Sequence, residues 1–389
     1  MKLKIFDGCI ANGLKRELKE LYLSTLILNL AISAVSIFEP IYLYTLGFSL
    51  SQIVLFFIFV YALYFFIVPI GANIARTKGY EHSIFYSSFF CILYYLSLFS
   101  ISRNVYFVYL AILMLAVSKA LYWPAYHADF TRFGRGEERS REISNLVVLY
   151  SIVCVVGPFL GGLIISFFGF KVLFMMVSFL ILISNLPMLA TKEVFTPLKF
   201  SYKDAFKRLF KKNYRKGVLA YLGYGEEFIF LVIWPVFIYL TAKNFFSIGS
   251  IIALSTLISS LSILYIGKTA DEKDKYKILN SGIIFGSISW FLRIFTSSPF
   301  AVFLLHSSTQ ISQRLVGIPM MSLVYNQGSK SSIMKTIVFF EMSLVIGKLA
   351  AMLVVYLFLF IYPNSFIPAF VLAGLMTLLY SFITQLKKI

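Results

Sequence analysis

Read by its pattern of apolar and polar positions, the chain is a succession of apolar runs separated by short polar joints. Each run is close to the roughly 20 residues needed to cross a hydrocarbon core. Six fall in the first half, at about 20–45, 50–74, 82–102, 105–128, 142–167 and 169–190. Six more follow, at about 216–241, 246–267, 276–297, 299–325, 333–361 and 364–386. The runs are uniformly apolar rather than alternating, which predicts helices and not the strands of a barrel. Prolines inside them, such as Pro40 and Pro235, are tolerable where neighbouring helices satisfy the freed backbone groups. The pattern therefore predicts an all-α integral membrane protein with twelve transmembrane helices. A basic segment, 1–19, precedes a six-helix bundle at 20–190, and the one long connection, 191–215, leads to a second bundle at 216–389. Within that connection Phe200, Ala205, Phe206, Leu209 and Phe210 recur at near-helical spacing among lysines. Such spacing fits either an amphipathic helix on the inner leaflet or a solvated linker with snorkelling basic residues.

The two halves repeat one another. Phe38-Glu39-Pro40-Ile41-Tyr42 returns as Ile233-Trp234-Pro235-Val236-Phe237, an offset of 195 residues. The segment from Lys119 to Pro124 matches the one from Arg314 to Pro319 at the same offset. A third pair, Gly71 to Ala75 and Gly267 to Asp271, is displaced by 196. In a strongly apolar chain, parallel repeats of this kind point to a transporter whose substrate path lies between them.

Composition narrows the reading. The chain is 59% hydrophobic and only 13% charged, with a mean hydropathy of +0.85, against roughly 25% charged residues in soluble domains. Lys and Arg outnumber Asp and Glu by 35 to 17. The excess sits in the joints between apolar runs, so it marks loops held in the cytoplasm rather than a nucleic-acid surface. Placing both termini inside gives every cytoplasmic joint its basic residues and leaves the outer joints with Arg103, Lys171 and Lys243. The first 18 residues lack the apolar core of a secretory signal, so the first helix is expected to start insertion. Cys9, Cys91 and Cys154 have no ligand or disulfide spacing. No HExxH, GxSxG or GxxxxGK[ST] occurs, which argues against an enzyme, a metal site, a bound cofactor or an ATP-driven pump.

Several motifs carry a family resemblance. Gly267-Lys-Thr-Ala-Asp271-Glu-Lys-Asp-Lys-Tyr-Lys277, after the eighth span, resembles the G-x-x-x-D-R-x-G-R-K loop of the major facilitator superfamily. Its first-half counterpart keeps Gly71 and Arg76 but has Ala75 in place of the acid. Gly157-Pro158-Phe-Leu-Gly161-Gly162 in the fifth span resembles the superfamily's G-P-x-x-G-G element, although the more N-terminal glycines would fall at Ser144 and Val153. The resemblance implies a two-bundle fold, a gating role for Asp271, and an antiporter character for the glycine element. Tight helix packing at Gly157, Gly161 and Gly162 explains that element equally well.

Ionisable residues within spans cost about 2.5–3.5 kcal/mol on insertion scales unless they face a cavity or a partner. Eight qualify: Glu39, Lys119, Glu226, Glu227, Arg293, Arg314, Glu341 and Lys348. Arg293 is expected to snorkel from a peripheral helix. The resemblance puts the others on helices that line the central cavity. Lys119 and Arg314 should face each other across the repeat axis, and Glu341 and Lys348 share one helix face. Glu226 and Glu227 diverge by about 100°, so only one can point squarely at the cavity. Charge pairing alone would account for such groups, but a carrier also benefits from pairs that break and re-form. Glu39, beside Pro40, is the sharpest candidate for proton exchange. His306 is expected to hydrogen-bond in the core, and His82 and His127 to be solvated or capping groups. Among the aromatics, Trp123 and Trp234 are the candidates for stacking on a solute. These features predict a monomeric secondary transporter of the cytoplasmic membrane, working among membrane lipids by alternating access. It would export a small organic solute against a flux of protons. Uptake or exchange of an anionic metabolite, clamped by Lys119 and Arg314, is the alternative; a lipid-handling protein or membrane enzyme would need a catalytic constellation.

Overall fold

A computed structural model describes residues 16–133, 137–187, 200–272, 275–330 and 332–383, the side chains of some helical residues excepted. The described residues are overwhelmingly helical and include no strand. In chain order the helices of the first half are α1 (Arg16–Val35), α2 (Phe38–Thr45), α3 (Leu50–Lys78), α4 (Tyr80–Ile101), α5 (Phe107–Phe133) and α6 (Glu137–Ser184). A short helix, α7 (Tyr202–Phe210), leads to α8 (Arg215–Tyr221), α9 (Gly225–Phe228), α10 (Trp234–Ala242) and α11 (Phe245–Glu272). The last four are α12 (Lys275–Leu292), α13 (Pro299–Lys330), α14 (Ile333–Ile361) and α15 (Ile367–Leu379). Among the described residues, nine stretches are long and apolar enough to cross a membrane. Large side chains such as Phe179, Leu357 and Phe360 remain exposed on their outer faces, as lipid-facing positions require.

The prolines decide where the first span of each half is broken. Pro40 offers no N–H to the carbonyl of Ser36 and crowds it, so the helix is interrupted between α1 and α2. Pro235 does the same for Leu231, and the rod Arg215–Ala242 answers with a π turn at Ile229–Ile233. Helix α6 has 48 residues, about 72 Å of straight helix. That is more than twice a hydrocarbon core, and the chain turns back at Gly169, where φ is +79°. The two predicted spans 142–167 and 169–190 are thus joined by a single glycine. The predicted run 299–325 is helical as α13 but is not among the nine, since Ser307, Ser308, Thr309, Gln310, Ser312, Gln313 and Arg314 make its middle polar. The run 364–386 appears as the shorter apolar helix Ile367–Ile383.

The repeat of about 195 residues reappears in contacts, with donors 194 and acceptors 195 apart. Ser118 Oγ donates to Ser87 O at 3.1 Å, and Ser312 Oγ to Gly282 O at 2.8 Å. It reappears in backbone angles too. Left-handed residues close the turn at Gly47 and again at Lys243, and close another at Gly169 and again at Asn364.

Glycines set the closest helix approaches. A Cβ at Gly71 would lie 1.9 Å from Ala120 O, and one at Gly161 would lie 1.9 Å from Ala34 O. At Gly157 it would meet Ser33 Oγ at 2.0 Å. Gly162 on α6 faces Gly249 on α11 so closely that a Cβ would lie 3.1 Å from its Cα. Pro158 continues this seam, its carbonyl 2.4 Å from where a Cβ of Gly249 would sit. The expected packing role of the glycine element is therefore visible in the structure. Helix α7 begins at Ser201, whose hydroxyl accepts from Asp204 N. It does not stand apart: Phe206 packs on Phe65 and Phe66 of α3, and Tyr202 Oη donates to Phe66 O. Residues 1–15 and 188–199 lie outside the described residues, as do the side-chain surroundings of Gly267 and Asp271.

Candidate functional site

Charged groups from the two halves meet along a line through Tyr61 of α3. Glu39 accepts hydrogen bonds from Tyr95 Oη at 2.8 Å and Tyr94 Oη at 3.0 Å, so each carboxylate oxygen has a neutral donor. Lys119 on α5 is within electrostatic range of Glu39, and its Nζ stands 5.3 Å from the Tyr61 ring centre. From the second half, Lys348 Nζ stands 5.2 Å from the same ring and pairs with Glu227 at 2.8 Å. Tyr61 itself is buried. A second junction lies further along α14. Glu341 accepts from Tyr64 Oη at 2.7 Å, and His127 Nε2 is 3.2 Å from its other oxygen. Both partners come from the first half, so Glu341 joins α3 and α5 to α14.

The family assignment rests on comparison with known proteins. A family model, Major Facilitator Superfamily, matches residues 21–225. The chain belongs to the major facilitator superfamily. With its apolar helices, it is a multi-pass membrane transporter. No curated protein matches the sequence.

In this superfamily member the second half holds its own buried polar cluster. Glu226 accepts from Trp290 Nε1 at 3.0 Å and from Gln313 Nε2 at 3.2 Å. Arg293 is only 1% exposed, its guanidinium 3.6 Å from the centre of Trp290 and 3.9 Å from that of Trp234. Its Nη2 donates to Thr309 Oγ1 at 2.9 Å. Trp234 Nε1 donates to His306 Nδ1 at 2.9 Å. Because an indole N–H can only donate, Nδ1 must be the acceptor. A cavity of about 180 Å³ opens beside Glu226, walled by α9, α12, α13 and α15 and by Tyr224.

Several expectations change. Arg293 does not snorkel: two indoles sandwich it in the interior, since stacking on both faces compensates for lost water. His127 is 8% exposed and meets Glu341, instead of standing solvated at a helix end. Trp234 is completely buried against Phe237 and Arg293, which leaves no face for a solute in this arrangement. Trp123 is partly exposed and stacks on His127. Glu226 and Glu227 diverge as helix geometry requires, one toward Trp290 and the other toward Lys348. Among the described residues Lys119 and Arg314 make no hydrogen bond or ion pair with each other: Lys119 keeps to first-half partners, Glu39 and Tyr61, and only Arg314 reaches the opposite half. Arg314 lies in electrostatic range of Tyr150 and Cys154 on α6. Arg76 is partly exposed near the end of α3, and neighbouring Asn73 accepts from Phe200 N at 3.0 Å. The partners Tyr61, Tyr64, Tyr94, Tyr95, Trp290 and Gln313 escaped sequence reasoning. One signal was available, because Tyr95 and Trp290 are separated by the repeat offset of 195.

Proposed function

We propose that this transporter has twelve membrane-spanning helices in two six-helix bundles, joined by the connection 191–215, with both termini cytoplasmic. It moves a small organic solute outward across the cytoplasmic membrane by alternating access, in exchange for protons. The observation that carries this reading is the line Glu39, Lys119, Tyr61, Lys348, Glu227, which crosses from one half to the other. Rocking of the halves must lengthen it somewhere, so the pairings within it change between states. Glu39 is the proton-exchanging group because both its oxygens are held by neutral hydroxyls, which tolerate either form of the carboxyl. Glu227, Glu341, Lys348 and Arg314 adjust their pairings as the path opens, with Gly71, Gly157, Gly161 and Gly162 as packing contacts and Asp271 as a gate. The protein acts as a monomer among membrane lipids, without a cofactor.

The test uses purified protein in liposomes, screened against solutes with and without an imposed pH gradient. In Glu39→Gln, gradient-driven accumulation should fall to background while solute–solute exchange persists. Undiminished gradient-driven accumulation would remove Glu39 from the mechanism. A second reading, uptake or exchange of an anionic metabolite, is favoured by the two ammonium groups flanking Tyr61. It requires that Lys119→Ala lose affinity for anionic solutes alone.

A further inference from the structure

We propose that the cavity in the second half is a binding site for a small monovalent organic cation of the amine class. This deepens the transport reading and rests on it for the direction of movement, but not for binding itself. The cavity wall contains two carboxylates, Glu226 and Glu227, and no Lys, Arg or His. Three aromatic residues, Tyr224, Trp290 and Tyr380, complete much of it. Carboxylate plus aromatic surface, without a basic group, is the chemistry that receives an ammonium: ring faces attract the cation and a carboxylate takes its N–H donors.

Hydrogen-bonding capacity sets how much the site can take. Glu227 is already neutralised by Lys348 at 2.8 Å. Glu226 touches only neutral donors, Trp290 and Gln313, and among the described residues makes no ion pair. Arg293 lies in electrostatic range of it, with Nη2 on Thr309 and with Nε and Nη1 lacking a hydrogen-bond partner among the described residues. A carboxylate offers about four acceptor positions, and two at Glu226 are filled. One ammonium therefore takes the remaining acceptor positions of Glu226. The volume, about 180 Å³, is below the usual range for drug-sized ligands, so the ligand carries at most one ring.

Gly317 supplies a clean perturbation. It lines the cavity, and a Cβ added there meets nothing within 4 Å. Gly317→Leu should take up part of that space, starting from a Cβ that touches no neighbour. The probes are benzylamine, charged at neutral pH, with benzyl alcohol and benzoate as neutral and anionic counterparts of similar shape. Binding is read by calorimetry on the full-length protein in detergent, and by fluorescence of Trp290 in the cavity wall. Benzylamine should bind, benzyl alcohol and benzoate at least tenfold more weakly, and both Glu226→Gln and Gly317→Leu should weaken benzylamine at least tenfold. Should Glu226→Gln fail to fold, Gly317→Leu and the three-probe comparison carry the test. Equal binding of benzyl alcohol, full affinity in a folded Gly317→Leu, or no benzylamine binding would each overturn the proposal. No benzylamine binding to the unaltered protein, with intact gradient-driven transport, would sink this site alone. Sound binding with no transport of any solute would instead sink the transport reading.

Discussion

Substituting Gly162 by Ala should pry the two halves apart at one end without unfolding either. The added Cβ would lie 2.5 Å from Phe245 O and 3.1 Å from Gly249 Cα, where ordinary contact begins at 3.4 Å. The helices α6 and α11 must therefore separate by about 0.9 Å at this point. Overpacking of this kind costs about 1–3 kcal/mol. Because the contact joins the halves, the cost falls on the arrangement described here and is relieved in one where they have parted. The equilibrium should move about 5- to 150-fold toward the parted form. A reporter lies close by, in the rings of Tyr44 and Tyr239, which are 6.1 Å apart across the same seam. With Cys9, Cys91 and Cys154 replaced, cysteines at 44 and 239 can be joined by a short thiol-reactive linker. Gly162→Ala should slow that cross-linking several-fold while the melting temperature in detergent changes little. Gly161→Ala is the contrast, because its Cβ would strike Ala34 O within the first half. It should lower the melting temperature and leave cross-linking per folded molecule unchanged. Alanine's better helix propensity offsets up to about 1 kcal/mol in both variants, so the difference between them is the readout. Cross-linking as fast in Gly162→Ala as in its parent would refute the reasoning.

Two further outcomes follow from the buried polar groups. Arg293→Lys keeps the charge but loses the planar stack on Trp234 and Trp290, each such desolvated contact contributing about 2 kcal/mol or more; melting in detergent should fall by several degrees, and an unchanged value would restore an interfacial role for the residue. Glu341→Gln and Tyr64→Phe should be non-additive in melting free energy by about 0.5–3 kcal/mol, reflecting the 2.7 Å hydrogen bond between the halves; simple additivity would mean that the junction does not join them.

The sequence made the spans legible because membrane crossing demands long uniform apolar runs, and the hairpin at Gly169 fell where the pattern put it. Glycine packing was equally accessible, since small residues in an apolar helix have few other uses. What stayed hidden was partnership. Arg293 looked peripheral because its cage is assembled from α10 and α12, whose adjacency no local pattern records. His127 looked solvated because its acid, Glu341, lies more than 200 residues away. The phenols around Glu39 were lost among 25 tyrosines and 42 phenylalanines, where no single aromatic stands out.

The left-handed turns carry a meaning of their own. In the first half glycine stands at two of them, Gly47 and Gly169, with φ of +91° and +79°; at the corresponding turns of the second half Lys243 and Asn364 also take positive φ, +56° and +68°. An ordinary side chain pays roughly 1–2 kcal/mol for that geometry, yet the bend persists. The sign of φ at these turns is thus shared by the two halves where the residue is not. A comparison by residue identity alone would underestimate how alike they are. It also follows that glycine at 243 or 364 would relieve that cost without asking the backbone to move.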